Sequence, residues 1–137
     1  MSTLTPYLLF DGTCRQAMQF YQSCLGGELT ILTVKDSPVS GQMPAAFQDK
    51  VLNARLRGEG VDISASDWLR PDRVRVPGNT ACLWLSGGTL HGLEGLFGRL
   101  SDGADVTDPL STQFFGTYGA LNDKFGVRWM FGTAEKA

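Results

Sequence analysis

The sequence has little histidine, little cysteine and no excess of basic residues. His91 is the only histidine among 137 residues, so any Ser-His-Asp or Cys-His centre would have to use it as its base. Cys14, Cys24 and Cys82 are an odd number without a Cys-x-x-Cys pair, which argues against a disulfide framework and a thiolate zinc site. A formal net charge of −2 offers no basic field to a nucleic acid. These absences exclude nucleic-acid binding and make covalent hydrolysis a poor interpretation.

Long apolar runs are also missing. No stretch approaches the ~18 residues of a membrane span, and the N-terminus lacks the basic-then-apolar pattern of a signal peptide. With 42% apolar and 19% charged residues, the composition is typical of a globular protein. We therefore expect a cytoplasmic protein without a membrane partner.

What the sequence does contain is a two-fold internal repeat. The stretch FDGTCRQAMQFYQSCLGGELT from Phe10 recurs 76 positions later as SGGTLHGLEGLFGRLSDGADV. A later stretch repeats at an offset of 66, where Gly60 matches Gly126 and Val61 matches Val127. Self-similarity of this kind indicates duplicated supersecondary units that pack together. We predict one domain over residues 1–137, made of two repeats at about 1–68 and 79–133 with a linker at 69–78.

Each repeat predicts one amphipathic helix. Thr13 and Gln16 have the spacing of a capping box, and an apolar stripe follows them. Thr89 has the equivalent position before the second helix. That helix contains Gly92, Gly95 and Gly98, each of which costs about 1 kcal/mol relative to alanine. We expect these glycines to allow close approach to the sheet or to a partner helix.

Strand patterns surround both helices. Alternation and turn signals predict strands at Tyr7–Phe10, 28–34, 51–57, 61–66, 80–85, 104–107, 114–121 and 127–133. Residues 35–50 lack any period and predict a long loop that overhangs the site, and Pro109 predicts a second irregular connection. Each half is then strand, helix, strand, strand, strand.

Three segments carry a resemblance to a known family: YLLFDGTCRQAMQFYQSCLGGEL, VLNARLRGEGVDISASD and FFGTYGALNDKFGVRWMF. Together they resemble the vicinal oxygen chelate superfamily, which includes glyoxalase I, bleomycin-resistance proteins and extradiol dioxygenases. They are most similar to its PhnB-like branch, often labelled a 3-demethylubiquinone methyltransferase-like domain. The resemblance implies an α+β fold of two βαβββ modules that form cupped, antiparallel-rich mixed sheets with the helices outside. It also implies a concave cleft and a homodimer, sometimes with exchanged modules.

The resemblance implies a divalent metal held by His and Glu on the first and last strands of each module. In this sequence Pro6, Ser64, Cys82 and Met130 are at or next to those positions. None is a histidine or a carboxylate, and Asp62, one register step away, would be alone. We therefore predict no bound metal and no cofactor. Methyl transfer is also discounted, because no Gly-rich loop opens a parallel α/β unit.

The strand faces opposite the helices are the expected lining of the cleft. The candidate ligand-binding residues are Leu8, Asn53, Arg55, Asp62, Ser64, Cys82, Trp84, Arg128 and Met130. Arg55 and Arg128 would either clamp a carboxylate or phosphonate or pair with Asp62 or Asp123. Trp84 would either stack on a planar ligand or pack in the core.

Three interpretations remain open at this point. The first is a protein that binds an unidentified apolar or anionic small molecule in a metal-free cleft. The second is a lyase, isomerase or dioxygenase that uses Arg55, Asp62 or Arg128. The third is a dimeric scaffold. Cys82 is a structural thiol or a nucleophile, and the His91-x-x-Glu94 pattern falls on the solvated face of its helix.

Overall fold

The computed structural model describes all 137 residues and divides them into two compact units, Met1–Arg75 and Val76–Ala137. The division falls inside the linker predicted at 69–78. The first unit contains β1 (Tyr7–Phe10), α1 (Cys14–Leu25), β2 (Glu28–Thr33), β3 (Val51–Gly58) and β4 (Val61–Asp67). The second contains β5 (Leu83–Ser86), α2 (Leu90–Leu100), β6 (Asp105–Gln113), β7 (Gly116–Asn122) and β8 (Arg128–Thr133).

The two units share one topology. The first sheet has the order β1-β4-β3-β2 and the second has the order β5-β8-β7-β6, with a single parallel pair, β1/β4 or β5/β8, in each. The offset of 76 places β1 on β5 residue for residue, and the offset of 66 aligns the closing hairpins. The predicted α+β fold of two βαβββ modules is confirmed. No helix is both long enough and apolar enough to cross a membrane.

In the first unit, α1 packs on one face of its sheet. The helix buries Cys14, Ala17, Met18, Tyr21 and Cys24. Its partners are alternate residues of β3 and β4, which lie on the same face because side chains alternate along a strand. They are Ala54, Leu56, Ile63 and Ala65. The predicted apolar stripe is therefore the interface between helix and sheet, and Met18 widens it.

The start of α1 differs from the predicted capping box. The Thr13 side chain makes no capping hydrogen bond. Instead, the backbone N–H of Cys14 donates to Oδ1 of Asp67 at 3.0 Å, and the N–H of Val51 donates to Oδ2 at 2.9 Å. A buried carboxylate from β4 thus satisfies the helix N-terminus, because an anion there is favoured by the free N–H groups and the helix dipole.

In the second unit the predicted cap of α2 is confirmed, since the N–H of Gly92 donates to Thr89 Oγ1 at 3.0 Å. The helix buries Leu93 and Leu100 against its sheet. The expected close approach of this helix to its own sheet at the glycines is not observed, and the alternative of a partner helix stays a prediction. A Cβ at Gly98 would meet nothing within 4 Å, and one at Gly95 would meet only the Arg99 side chain. The glycines therefore create no close approach within this chain.

Several strand boundaries in the second unit also differ from the prediction, and β7 begins at Gly116 instead of residue 114. β5 begins at Leu83, three residues later than expected, so Cys82 lies just before it. β6 extends to Gln113 and contains Pro109, where the sequence predicted an irregular connection. The strand tolerates proline because β6 is at the sheet edge and its register shifts on both sides of Asp108.

The loop between β2 and β3 has structure of its own. It contains two short 3-10 turns, Ser40–Gln42 and Ala45–Phe47. The Gln48 side chain donates to the carbonyls of Ser40 and Met43, and the N–H of Lys35 donates to the Gln48 carbonyl. The loop is thus closed on itself by hydrogen bonds within the first unit, and its predicted overhang above a site stays a prediction.

Candidate functional site

The first sheet presents a polar face on the side away from α1. Arg55 pairs in register with Ser64, and the half-buried Arg55, Asp62 and Ser64 and the exposed Asn53 lie on this face. Leu8 does not. It pairs with Ala65, a fully buried residue under α1, so it lies on the helix-covered face. This differs from the sequence interpretation, because the parallel register of β1 turns Leu8 toward the helix.

Arg55 and Asp62 form a bidentate ion pair on this open face. Arg55 Nε lies 3.0 Å from Asp62 Oδ1, and Arg55 Nη2 lies 2.9 Å from Oδ2. The guanidinium holds the pKa of Asp62 below its usual value, mainly through the side-chain hydrogen bonds. A carboxylate with a lowered pKa is a weak base at neutral pH. The arrangement matches the sequence alternative in which Arg55 pairs with Asp62, and it engages the Nε/Nη2 edge of the guanidinium.

The second sheet presents aromatic residues on the side away from α2. Trp84 is 51% exposed, and its indole crosses the backbone of Gly132 on the neighbouring strand. A Cβ at Gly132 would come within 2.5 Å of the Trp84 ring. Glycine at this position therefore leaves room for the Trp84 ring, about half of which remains exposed. Of the two sequence alternatives for Trp84, this geometry suits stacking.

Two further aromatic rings continue this surface. The ring centroids of Trp84 and Tyr118 are 6.3 Å apart with an interplanar angle of 31°. Phe115 meets Tyr118 edge to face, also at 6.3 Å between centroids, with an angle of 73°. We call Trp84, Phe115 and Tyr118 the aromatic wall.

A pocket of about 610 Å³ opens beside the aromatic wall, entirely within the second unit. Its lining combines apolar and uncharged polar groups with a single carboxylate. The lining residues are Thr107, Asp108, Pro109, Ser111, Gln113, Phe115, Tyr118 and Met130. A smaller pocket of about 210 Å³ lies on the other side of Phe115, against Trp84 and Gly132. The first unit has a depression of about 340 Å³ between Glu28, Thr30, Arg55 and Arg57.

Arg128 organises one side of the large pocket. Its Nη1 donates to Thr107 Oγ1 at 3.1 Å and to Asn122 Oδ1 at 3.3 Å, and its Nη2 lies 3.5 Å from Asp108 Oδ2. Asp123, the other sequence candidate, is not its partner. Arg128 thus fixes two lining residues, Thr107 and Asp108, and its charge is already paired.

The sequence interpretation missed most of the pocket lining. Of its candidates, only Met130 lines the large pocket, and Trp84 lines the smaller one. Tyr118 was recoverable, because alternation along β7 places it on the same face as Trp84 and Gly132. The sequence analysis ended this strand at Thr107, because Pro109 indicated a loop, and so it missed that residues 108–113 continue the edge strand. The sequence analysis also placed the candidates of both units in one common cleft. This stays a prediction.

His91 and Glu94 are both exposed on α2, as the sequence analysis expected. No group of three or more His, Cys, Asp or Glu side chains comes together in the structure in a way that could hold a metal ion.

Comparisons with known proteins now bear on this geometry. No family model matches the chain. The crystal structure of protein PA1353 from Pseudomonas aeruginosa is 33% identical, with a TM-score of 0.87 over 100% of both chains. Protein YjdN of Escherichia coli K12 is 29% identical over 143 residues, which cover 97% of this chain and 96% of YjdN. The PhnB protein of Bacillus cereus is 23% identical, with a TM-score of 0.72 over 96% of this chain and 99% of that one.

The fold is also shared with a glyoxylase/bleomycin resistance protein/dioxygenase domain from Frankia, at 16% identity and a TM-score of 0.63 over 97% of this chain and 92% of that one. At 33% identity over the whole of both chains, this chain belongs to the family of protein PA1353. The fold that the three sequence segments predicted through their resemblance to the PhnB-like branch is confirmed, because the Bacillus cereus PhnB protein shares it.

The donor set of this chain does not fit the divalent metal that the resemblance to the vicinal oxygen chelate superfamily implies. In the first unit Pro6 and Ser64 are adjacent, since the N–H of Ser64 donates to the Pro6 carbonyl at 3.1 Å. The Ser64 side chain offers one hydroxyl, and the proline side chain offers no ligand. In the second unit Cys82 Sγ lies 3.1 Å from Met130 Sδ. Hard divalent ions prefer carboxylate, carbonyl or imidazole ligands, and no side chain of these four residues supplies one.

Proposed function

We propose that the chain binds a small, flat and uncharged organic molecule against the aromatic wall, without a divalent metal. The observation that carries this proposal is the pocket of about 610 Å³ on the open face of the second sheet. Its volume is within the range of small-molecule sites, and apolar walls with a few polar groups are their usual lining.

The chemistry of the lining favours a neutral ligand over an anion. Both arginines named by the sequence, Arg55 and Arg128, already pair with Asp62 and Asp108. An anionic ligand would have to compete with these carboxylates and would approach Asp108 itself. A flat molecule would stack on Phe115 or Tyr118, and its donors would reach Asp108 or Gln113.

Binding is tested with two probes of matched shape, benzamide and benzoate, followed by ligand-observed NMR saturation transfer. We expect transfer to benzamide at millimolar concentration and a weaker signal for benzoate. Ser111→Trp fills the pocket and should abolish the signal. Thr112→Trp is the matched control, because the next residue on β6 points to the other face and is exposed.

Equal signals in the Ser111→Trp and wild-type proteins would reject the pocket. Preference for benzoate would reject the neutral class and restore the anionic one. Dialysis against Mn²⁺, Ni²⁺ and Zn²⁺ tests the other half of the proposal, and one tightly bound equivalent of any of them per chain would overturn it.

The chain is also proposed to form a homodimer in the cytoplasm. Support for the dimer comes from the unpaired edges of β2 and β6 and from Phe114, which is 92% exposed beside β6. Three free cysteines support a reducing compartment. Sedimentation that shows only monomer at micromolar concentration would reject the dimer, and cell fractionation tests the location.

A further inference from the structure

Two sulfur atoms lie side by side at the edge of the proposed binding face. Cys82, the residue before β5, places its Sγ 3.1 Å from Sδ of Met130 on β8. Cys82 is exposed and Met130 is half-buried, and Met130 also lines the large pocket. The pair is therefore open to solutes.

These two sulfurs are a matched pair of soft donors. A thiolate and a thioether select soft ions such as Cu(I), whereas Mg²⁺, Ca²⁺ and Mn²⁺ prefer oxygen ligands. The same two positions would carry hard ligands in metal-using relatives, as the family resemblance implies. In this chain both of these positions in the second unit carry soft donors.

We propose that Cys82 and Met130 bind one soft monovalent metal ion, with Cu(I) as the physiological candidate. Cu(I) replaces the proton of the Cys82 thiol, forming a copper–thiolate bond and releasing H⁺, while the Met130 thioether donates a lone pair. No oxidation state changes. At metal–sulfur distances of about 2.3 Å, the sulfurs must separate by about 1.5 Å to admit a linear two-coordinate ion, and the three rotatable bonds of methionine allow this.

No other thiol in the chain offers an equivalent site. Cys14 is fully buried and Cys24 is 4% exposed, both under the first sheet. Burial also raises the pKa of Cys14 to about 12, so its thiol remains protonated. A soft ion added to the folded chain should therefore load at Cys82.

The test is anaerobic titration of the full chain with Cu(I) in competition with a chromogenic bathocuproine chelator, with Ag⁺ loading read by native mass spectrometry. We expect one equivalent per chain. Cys82→Ser should weaken binding at least 100-fold, and Met130→Leu, which keeps the shape of the side chain, should weaken it about tenfold. Met43→Leu, a methionine in the first unit, is the control and should bind like wild type.

The Met130→Leu result decides between a paired site and a lone thiol. If this variant binds Cu(I) as tightly as wild type, the exposed cysteine acts alone and the proposal is overturned. It is also overturned if wild type takes up no Cu(I), or if Zn²⁺ binds equally well. Circular dichroism of each variant confirms that an affinity change reports on the site and not on unfolding.

Discussion

Asp123 provides the sharpest test of the second unit, because one side chain holds the closing hairpin and the core together. Its carboxylate is 5% exposed. Oδ1 accepts from the N–H groups of Phe125 at 2.8 Å and Val127 at 3.0 Å. Oδ2 accepts from Nε1 of Trp129 at 2.8 Å, and this indole is 1% exposed.

Asp123→Asn keeps the shape and one acceptor but points an NH₂ group at the indole N–H. The buried Trp129 donor then loses its partner, which costs about 1–3 kcal/mol, and the two turn bonds lose their charge assistance. We expect the free energy of unfolding to fall by about 2–3 kcal/mol. Urea denaturation followed by circular dichroism measures it, with an unchanged m-value.

Asp102→Asn is the matched control, since it removes the same charge from an exposed pair with Lys124 at 3.3 Å. It should change stability by less than about 0.5 kcal/mol. In a Trp129→Phe background, Asp123→Asn should cost less, because the indole donor is already gone. An equal loss of unfolding free energy in Asp123→Asn and Asp102→Asn would contradict this role of Asp123. So would an equal loss for Asp123→Asn in the wild-type and Trp129→Phe backgrounds.

Gly98 is exposed on α2, and a Cβ there would meet nothing within 4 Å. Because alanine favours a helix more than glycine does, Gly98→Ala should raise the free energy of unfolding by about 1 kcal/mol. No gain would mean that a partner occupies that space. Iodoacetamide at pH 8 should label Cys82 in the native chain and spare Cys14, whose buried thiol has a pKa raised to about 12; mass spectrometry of peptides decides. The Asp62 carboxyl should titrate below 3.8 by NMR and shift upward in Arg55→Met. The stabilisation from this pair is thus present above the unfolded pKa and lost as pH falls through the lower folded one.

The internal repeat made the topology predictable from sequence. An offset of 76 aligned the first strand and helix of each unit, and an offset of 66 aligned the closing hairpins. Helical and alternating periods then gave the element types, because a single face of each element is buried. Local pattern and global fold agree along most of the chain, which is why these predictions held.

The two helix caps show where local reasoning fails. Thr13 and Thr89 occupy equivalent places, yet only Thr89 caps its helix. Asp67, 53 residues beyond Cys14, supplies the acceptor instead. At the equivalent place in the second unit stands Thr133, whose hydroxyl donates to the Gly88 carbonyl at 2.7 Å and leaves the helix N–H groups to Thr89. The charged carboxylate of Asp67 is a stronger acceptor than the hydroxyl of Thr13. Because Asp67 is distant in sequence, the spacing of residues around the helix start does not predict this cap.

The candidate site was harder to predict than the fold because its residues depend on register and on an edge strand. β1 has only four residues, with apolar side chains on both faces, so only its pairing with β4 decides that Leu8 faces α1. The pocket wall runs along β6, where a proline is tolerated only because an edge strand leaves some N–H groups unpaired. The pairing of β6 with β7 is also irregular near Pro109. Its register shifts on both sides of Asp108, the one carboxylate in the pocket lining. Bulges in edge strands change the direction of side chains next to binding sites. The irregular pairing of β6, which prevented its prediction as a strand, therefore also shapes the pocket wall.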